Sequence, residues 1–159
     1  MKLLDLIKEL ESSSSYKDFI SKNPSAYICA GFFILDLKNK KDQIQLDVFL
    51  PEKKKIAAFE SPFSEPKVFD EEVPAIKKLD TEIKVDIDEL EDKCEEILKE
   101  NKTSLMLGKI IAILKEDVWT LTCMNETLGM ANIKIDSKTG KVLSFRKGSL
   151  MEFVSSEKK

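Results

Sequence analysis

Apolar and polar residues alternate in two hairpin-like stretches, one in each half of the chain. Between residues 132 and 145, two alternating apolar arms flank a polar turn that closes on Gly140. Residues 46–59 repeat this pattern more loosely, with two apolar arms on either side of a lysine-rich turn. Because successive side chains of a strand point to opposite faces, such alternation predicts β-hairpins.

A longer apolar run precedes each hairpin, and a helical pattern precedes each run. The first run, at residues 26–37, predicts a strand covered on both faces, and the second begins near residue 106. Upstream of the first run, residues 2–22 predict either one bent helix or two short ones, because serines interrupt the apolar stripe. Upstream of the second, Asp86 and Glu89 have capping-box spacing and predict the start of a helix.

These elements predict an α+β protein with two helix-plus-antiparallel-sheet units in tandem. The two units could also share one continuous sheet. Three prolines and several acidic residues between the units discourage regular structure there. The chain then divides into an N-terminal half at residues 1–60, a proline-rich connection at 61–81, a C-terminal half at 82–154 and a frayed tail at 155–159.

The charge balance gives little support to a polyanionic partner. Lysine and arginine total 26, aspartate and glutamate total 29, and the formal net charge is −3. Arg146 is the only arginine, so the planar fork that recognises phosphate and guanine is nearly absent. We therefore consider a nucleic-acid partner unfavoured.

The interrupted N-terminal apolar region and the pattern of cysteines favour a cytoplasmic protein without a membrane segment. Charges at Asp5, Lys8 and Glu9 interrupt what a secretory signal would need as a continuous apolar region. No stretch approaches the roughly 18 uncharged apolar residues of a spanning helix. The three cysteines are isolated from one another in the sequence, which suits a reducing compartment better than a disulfide framework.

The sequence contains no histidine, which removes the commonest general base and the commonest nitrogen ligand for metals. We therefore expect no enzyme activity, no cofactor and no metal. Cys29, Cys94 and Cys123 could form a three-thiolate zinc site if the fold brought them together. Each lies in an apolar stripe or strand, however, and this placement favours core packing.

Two phenylalanines in the proline-rich connection, Phe63 and Phe69, are candidate contact residues. Either they pin the connection to the sheet, or they form an exposed apolar patch for a partner. The second alternative underlies our leading hypothesis, a non-catalytic binding or regulatory module that acts through protein–protein contact. The partner is an unknown protein, and a homodimer is left open.

A second hypothesis is a small-molecule or lipid carrier. It places a cavity on the concave face of the sheet, lined by Phe33, Trp119 and Met124. Bound apolar ligand would then lie close enough to quench the fluorescence of Trp119.

Residues 82–146 combine a helical segment, the tryptophan-containing strand Val118-Trp-Thr-Leu121 and the turn sequence Asp136-Ser-Lys-Thr-Gly140. In this order they resemble the PepSY domain, whose members often show a helix, a strand with tryptophan and a strand ending in Asp-x-x-Thr-Gly-x-Val. The resemblance implies a binding or inhibitory role, in a family that is usually extracytoplasmic or membrane-attached. A helix packed on an antiparallel sheet, used twice, also resembles the cystatin-like arrangement.

Overall fold

The structure, a computed structural model, describes residues 1–103, 106–125, 127 and 129–149. Within these residues it contains three α-helices and one eight-stranded sheet. The helices are α1 (Leu3–Ser12), α2 (Ser14–Lys22) and α3 (Leu90–Glu100), with a 3-10 turn at Ile87–Glu89 directly before α3. The strands are β1 (Tyr27–Asp36), β2 (Gln43–Leu50), β3 (Lys55–Glu60), β4 (Lys67–Val68), β5 (Lys109–Lys115), β6 (Val118–Met124), β7 (Gly129–Asp136) and β8 (Val142–Ser149). The predicted frayed tail at 155–159 lies outside the described residues.

All neighbouring strands are antiparallel, and their order across the sheet is β4-β3-β2-β1-β5-β6-β7-β8. Strands β1 and β5 therefore pair at the centre, and each later strand is added outward from one of them. The α+β prediction is confirmed, with one continuous sheet in the described part of the chain. The domain limits remain a prediction.

Ser13 explains why the N-terminal helical pattern forms two helices. Its side-chain oxygen accepts a hydrogen bond from the backbone N–H of Tyr16 at 3.2 Å, which caps the start of α2. Helix α1 takes its cap from a distant residue, because an Asp86 carboxylate oxygen accepts from the backbone N–H of Leu3 at 2.8 Å. The same oxygen accepts from the backbone N–H of Ile87 at 2.7 Å. A carboxylate oxygen of Glu89 accepts in return from the backbone N–H of Asp86 at 3.3 Å, in the predicted capping box.

The three helices cover one face of the sheet, and the main core lies between them and the strands. Trp119 and Phe33 are both 0% exposed there, and their ring centroids are 5.8 Å apart. The indole Nε1 of Trp119 donates to the backbone oxygen of Val85 at 2.8 Å. This hydrogen bond satisfies the polar atom of the large buried side chain. We call this side of the sheet the helix-covered face.

The chain between β4 and the 3-10 turn crosses one end of the sheet, and we call residues 69–84 the strap. Its backbone N–H groups bond in turn to Lys54 before β3, to Ile28 in β1 and to Ser137 after β7, at 2.7 to 2.8 Å. Ion pairs join Lys77 to Asp117 and Lys138 to Asp80. The strap thus contacts both halves of the sheet although it has no regular secondary structure.

Candidate functional site: the helix-free face of the sheet

The face of the sheet that carries no helix has an apolar centre. Phe32 and Ile34 on β1 lie directly opposite Ile113 and Ile111 on β5, so the four side chains are neighbours. Each is half-buried, whereas the residues alternating with them on β5 are buried under the helices. We call these four residues the central patch.

Neutral polar side chains border the central patch on both sides. On β2, Gln45 and Gln43 pair with Phe32 and Ile34. On β6, Thr120 and Thr122 pair with Ile113 and Ile111, and the hydroxyl of Thr122 donates to the amide oxygen of Asn132 at 3.0 Å. An apolar centre without charges and with a polar rim is typical of the composition of protein interfaces.

The strap covers only one end of this face. There Cys29, Ala30 and Phe49 are buried, with Val73 and Ile76 of the strap packed on them. The hydroxyl of Tyr27 donates to the backbone oxygen of Ile76 at 2.6 Å and fixes the strap in place. The prediction that residues 26–37 form a strand covered on both faces is therefore wrong beyond Ala30, because Ala30 is buried whereas Phe32 and Ile34 on the same face are only half-buried.

An unusual carboxylate lies at the border between the covered and uncovered parts of the face. Burial raises the pKa of Asp47 above its ordinary value, although the side-chain amide of Gln45 donates to it at 2.8 Å and Lys115 attracts it. Burial also raises the pKa of the nearby Cys29 thiol to about 12, so this thiol is unreactive at neutral pH. We find no nucleophile prepared for catalysis among these residues.

The two phenylalanines predicted as contact residues are placed in different environments. Phe63 is 2% exposed and belongs to the main core, so it pins the chain before the strap and presents no surface to a partner. Phe69 is 41% exposed, with the ammonium of Lys67 at 5.4 Å from its ring centroid. The expected joint patch does not form, and only Phe69 is accessible to a partner.

The predicted cavity between Phe33, Trp119 and Met124 does not form either. Phe33 and Trp119 pack against each other in the main core, whereas Met124 is half-buried on the helix-free face. Met124 follows Trp119 by an odd number of residues in the same strand, and such residues point to opposite faces. The space that the carrier hypothesis assigned to a ligand is occupied by the two rings.

A groove of about 780 Å³ lies elsewhere, between helices α1 and α2 and the strap. Leu4, Ile7, Tyr16, Ile20 and Leu79 supply most of its apolar lining. Charged side chains, among them Glu11, Lys78 and Asp80, also line it. Its volume is within the range of small-molecule sites.

The three cysteines are all buried but do not converge. The thiol of Cys123 on β6 donates to the sulfur of Cys94 on α3 at 3.3 Å, on the helix-covered face. Cys29 belongs to the separate cluster on the opposite face. A three-thiolate zinc site is thereby excluded, and no group of three or more candidate ligands occurs in the described part of the chain.

Sequence reasoning missed the central patch, although a signal was present. Both runs have apolar residues at odd and even positions alike, so a second apolar face was visible in the pattern. The pattern does not say whether another element covers that face.

No known family model and no characterised protein matches this sequence. Among solved structures, the chain is similar to the crystal structure of a "putative lipoprotein" from Clostridium difficile 630. The TM-score is 0.49 and the identity is 20%, over 83% of this chain and 89% of the other. Chains this distant need not share a function. No helix among the described residues is long and apolar enough to cross a membrane.

Proposed function

We propose that this protein is a non-catalytic binding module that acts through protein–protein contact, with the central patch as the contact surface. The observation that carries the proposal is the pairing of Phe32 with Ile113 and of Ile34 with Ile111 on the face without helices. Covering these four adjacent apolar side chains would gain free energy, at about 25 cal/mol per Å² of apolar surface removed from water. The uncharged glutamines on β2 and threonines on β6 beside the patch favour a protein surface over a polyanion.

We further propose that the two halves are copies of one PepSY-like or cystatin-like unit and that the protein is cytoplasmic. In support, each half consists of helix followed by four antiparallel strands, and the first strands of the two halves pair at the centre. In the C-terminal half, Gly140 has a φ of +79° in the turn after Asp136, as the Asp-x-x-Thr-Gly pattern requires. The central patch then spans the junction of the two units.

Site-specific photo-crosslinking in the cells that make this protein would test the contact surface. A benzoylphenylalanine replacing Phe32 should give one discrete adduct, and the same group replacing Leu143 on β8, which is 49% exposed, should not. Ile34→Lys should abolish the adduct because it places a charge next to the probe. An adduct of twice the chain mass would identify a homodimer.

Equal crosslinking from Phe32 and Leu143 would count against the proposal. Circular dichroism would check that Ile34→Lys still folds. If it does not fold, Ile111→Thr keeps a β-branched side chain and removes only apolar surface, so partial loss of the adduct is then the expected result.

The groove between α1, α2 and the strap favours a second candidate function, the small-molecule or lipid carrier. An apolar probe such as anilinonaphthalene sulfonate should bind there with a rise in fluorescence. Leu4→Asp should reduce this rise, because Leu4 lies in the groove and is 46% exposed. Val68→Asp, at a similarly exposed apolar residue outside the groove, is the control. Equal binding by both variants would exclude the groove as the site.

A further inference from the structure

The pair Cys94 and Cys123 is a feature that neither binding proposal uses. Their sulfur atoms are 3.3 Å apart, and both side chains are 0% exposed. A disulfide has an S–S length of about 2.05 Å, so the two sulfurs need to approach by roughly 1.2 Å. One residue is on helix α3 and the other on strand β6, so a bond between them would join two layers of the fold.

We propose that Cys94 and Cys123 form a reversible disulfide that covalently fastens helix α3 to the sheet. The oxidant is a small-molecule disulfide such as oxidised glutathione. One protein thiolate attacks a sulfur of this disulfide and expels one glutathione thiolate, leaving a mixed disulfide. The second protein thiolate then attacks the mixed disulfide and expels the second glutathione. The protein loses two electrons and two protons, and the glutathione disulfide becomes two thiols.

The surroundings of the pair determine when this reaction is possible. The hydrogen bond with Cys123 and burial both raise the pKa of the Cys94 thiol, so the folded protein holds little reactive thiolate. Oxidant also cannot reach sulfurs that are fully buried. We therefore expect the bond to form under oxidising conditions, while the chain folds or when α3 detaches briefly from the sheet, whereas in the reducing cytoplasm proposed above the pair stays as two thiols.

Cys29 provides an internal control for the specificity of the pairing. It is as buried as the other two, but it lies on the opposite face of the sheet, in the cluster under the strap. A disulfide that includes Cys29 would require the fold to be disrupted. Random oxidation of an unfolded chain would give such pairs, whereas oxidation guided by the fold would not.

The test is to refold the whole chain from denaturant in equimolar reduced and oxidised glutathione. The product is then denatured, alkylated with N-ethylmaleimide, weighed and mapped by proteolysis. We expect one maleimide adduct, on Cys29, and one linked peptide that joins Cys94 to Cys123. The Cys29→Ala variant should carry no adduct and the same linked peptide. Three adducts on the wild-type chain, or a linked peptide that contains Cys29, would overturn the proposal.

Thermal unfolding of the oxidised chain supplies a second readout. Closing a loop between residues 29 positions apart should raise the melting temperature by on the order of 10 °C. A reductant should reverse the rise, and the double variant Cys94→Ala/Cys123→Ala should show no response to either reagent. An unchanged or lower melting temperature in the linked protein would show that the bond does not fit the native packing, which would also overturn the proposal.

Discussion

The two central strands, β1 and β5, carry apolar side chains on both faces of the sheet, but the two faces have different covers. On the helix-covered face, Trp119 and its strand neighbour Leu121 are 0% exposed. On the helix-free face, Ile111 and Ile113 of the adjacent strand remain half-buried. Buried apolar surface contributes to folding in proportion to the area removed from water. The first face therefore determines stability, and the second has apolar surface still available for contact.

The largest difference between the faces should appear when one large side chain is removed from each. Trp119→Ala should lower the free energy of unfolding by about 3–5 kcal/mol, because it opens a cavity and leaves the backbone oxygen of Val85 without its donor. Ile113→Ala should cost only about 1 kcal/mol, because its side chain is half-buried. Urea unfolding followed by circular dichroism measures both. Similar losses would contradict the contrast between the faces.

A glycine pair tests how tightly the helix-covered face is packed. A methyl group on Gly31 would lie 2.6 Å from the ring of Phe33, which is itself fixed against Trp119. Gly31→Ala should therefore cost about 1–3 kcal/mol. Gly108→Ala is the matched control, since its added methyl meets one backbone oxygen at an ordinary 3.7 Å. In the Phe33→Leu background the cost of Gly31→Ala should fall, and a constant cost in the double-mutant cycle would refute this explanation.

A single carboxylate stabilises two helix starts above the covered face. Asp86→Ala removes the acceptor for the backbone N–H groups of both Leu3 and Ile87, and should cost about 1–2 kcal/mol. Asp88→Ala removes only an exposed ion pair with Lys2 and should have little effect. Chemical denaturation of both variants measures the difference. Equal stability of the two variants would show that Asp86 does not cap α1.

The smallest expected effect concerns the carboxylate on the helix-free face. The folded-state pKa of Asp47 is raised above an unfolded value of about 3.9, so the folded protein loses stability as the pH rises through that window. Asp47→Asn should therefore stabilise the protein modestly at neutral pH, and the gain should vanish below about pH 3. Denaturation across this pH range is the measurement. Asp70→Asn, at an exposed carboxylate of the strap, is the control and should show no comparable gain.

The sequence predicted best those elements that depend on interactions between residues close together in the chain. The capping box at Asp86 set the start of the α3 region, and the turn before Gly140 set a hairpin, because both depend on residues within a few positions. The burial of each cysteine also followed from its apolar surroundings.

The candidate site was harder to predict because it depends on contacts between distant segments. The central patch exists only because β1 pairs with β5, which joins residues about 80 positions apart, and because the helices all pack on the other face. The end of this face near Phe49 is likewise covered only because the strap, a distant segment of the chain, packs on it. The position of Met124 could have been predicted from the sequence, since counting residues along β6 already places it and Trp119 on opposite faces of the sheet.

The central position of β1 has a consequence for synthesis on the ribosome. One edge of β1 can pair with β2 as soon as that strand emerges, but the other edge waits for β5, which ends at Lys115. Until then, the growing chain carries an unpaired strand edge with large apolar side chains on both of its faces. Such an edge is prone to join other chains. A nascent chain arrested near residue 105 should therefore recruit chaperones more strongly than one arrested after β8 has left the exit tunnel.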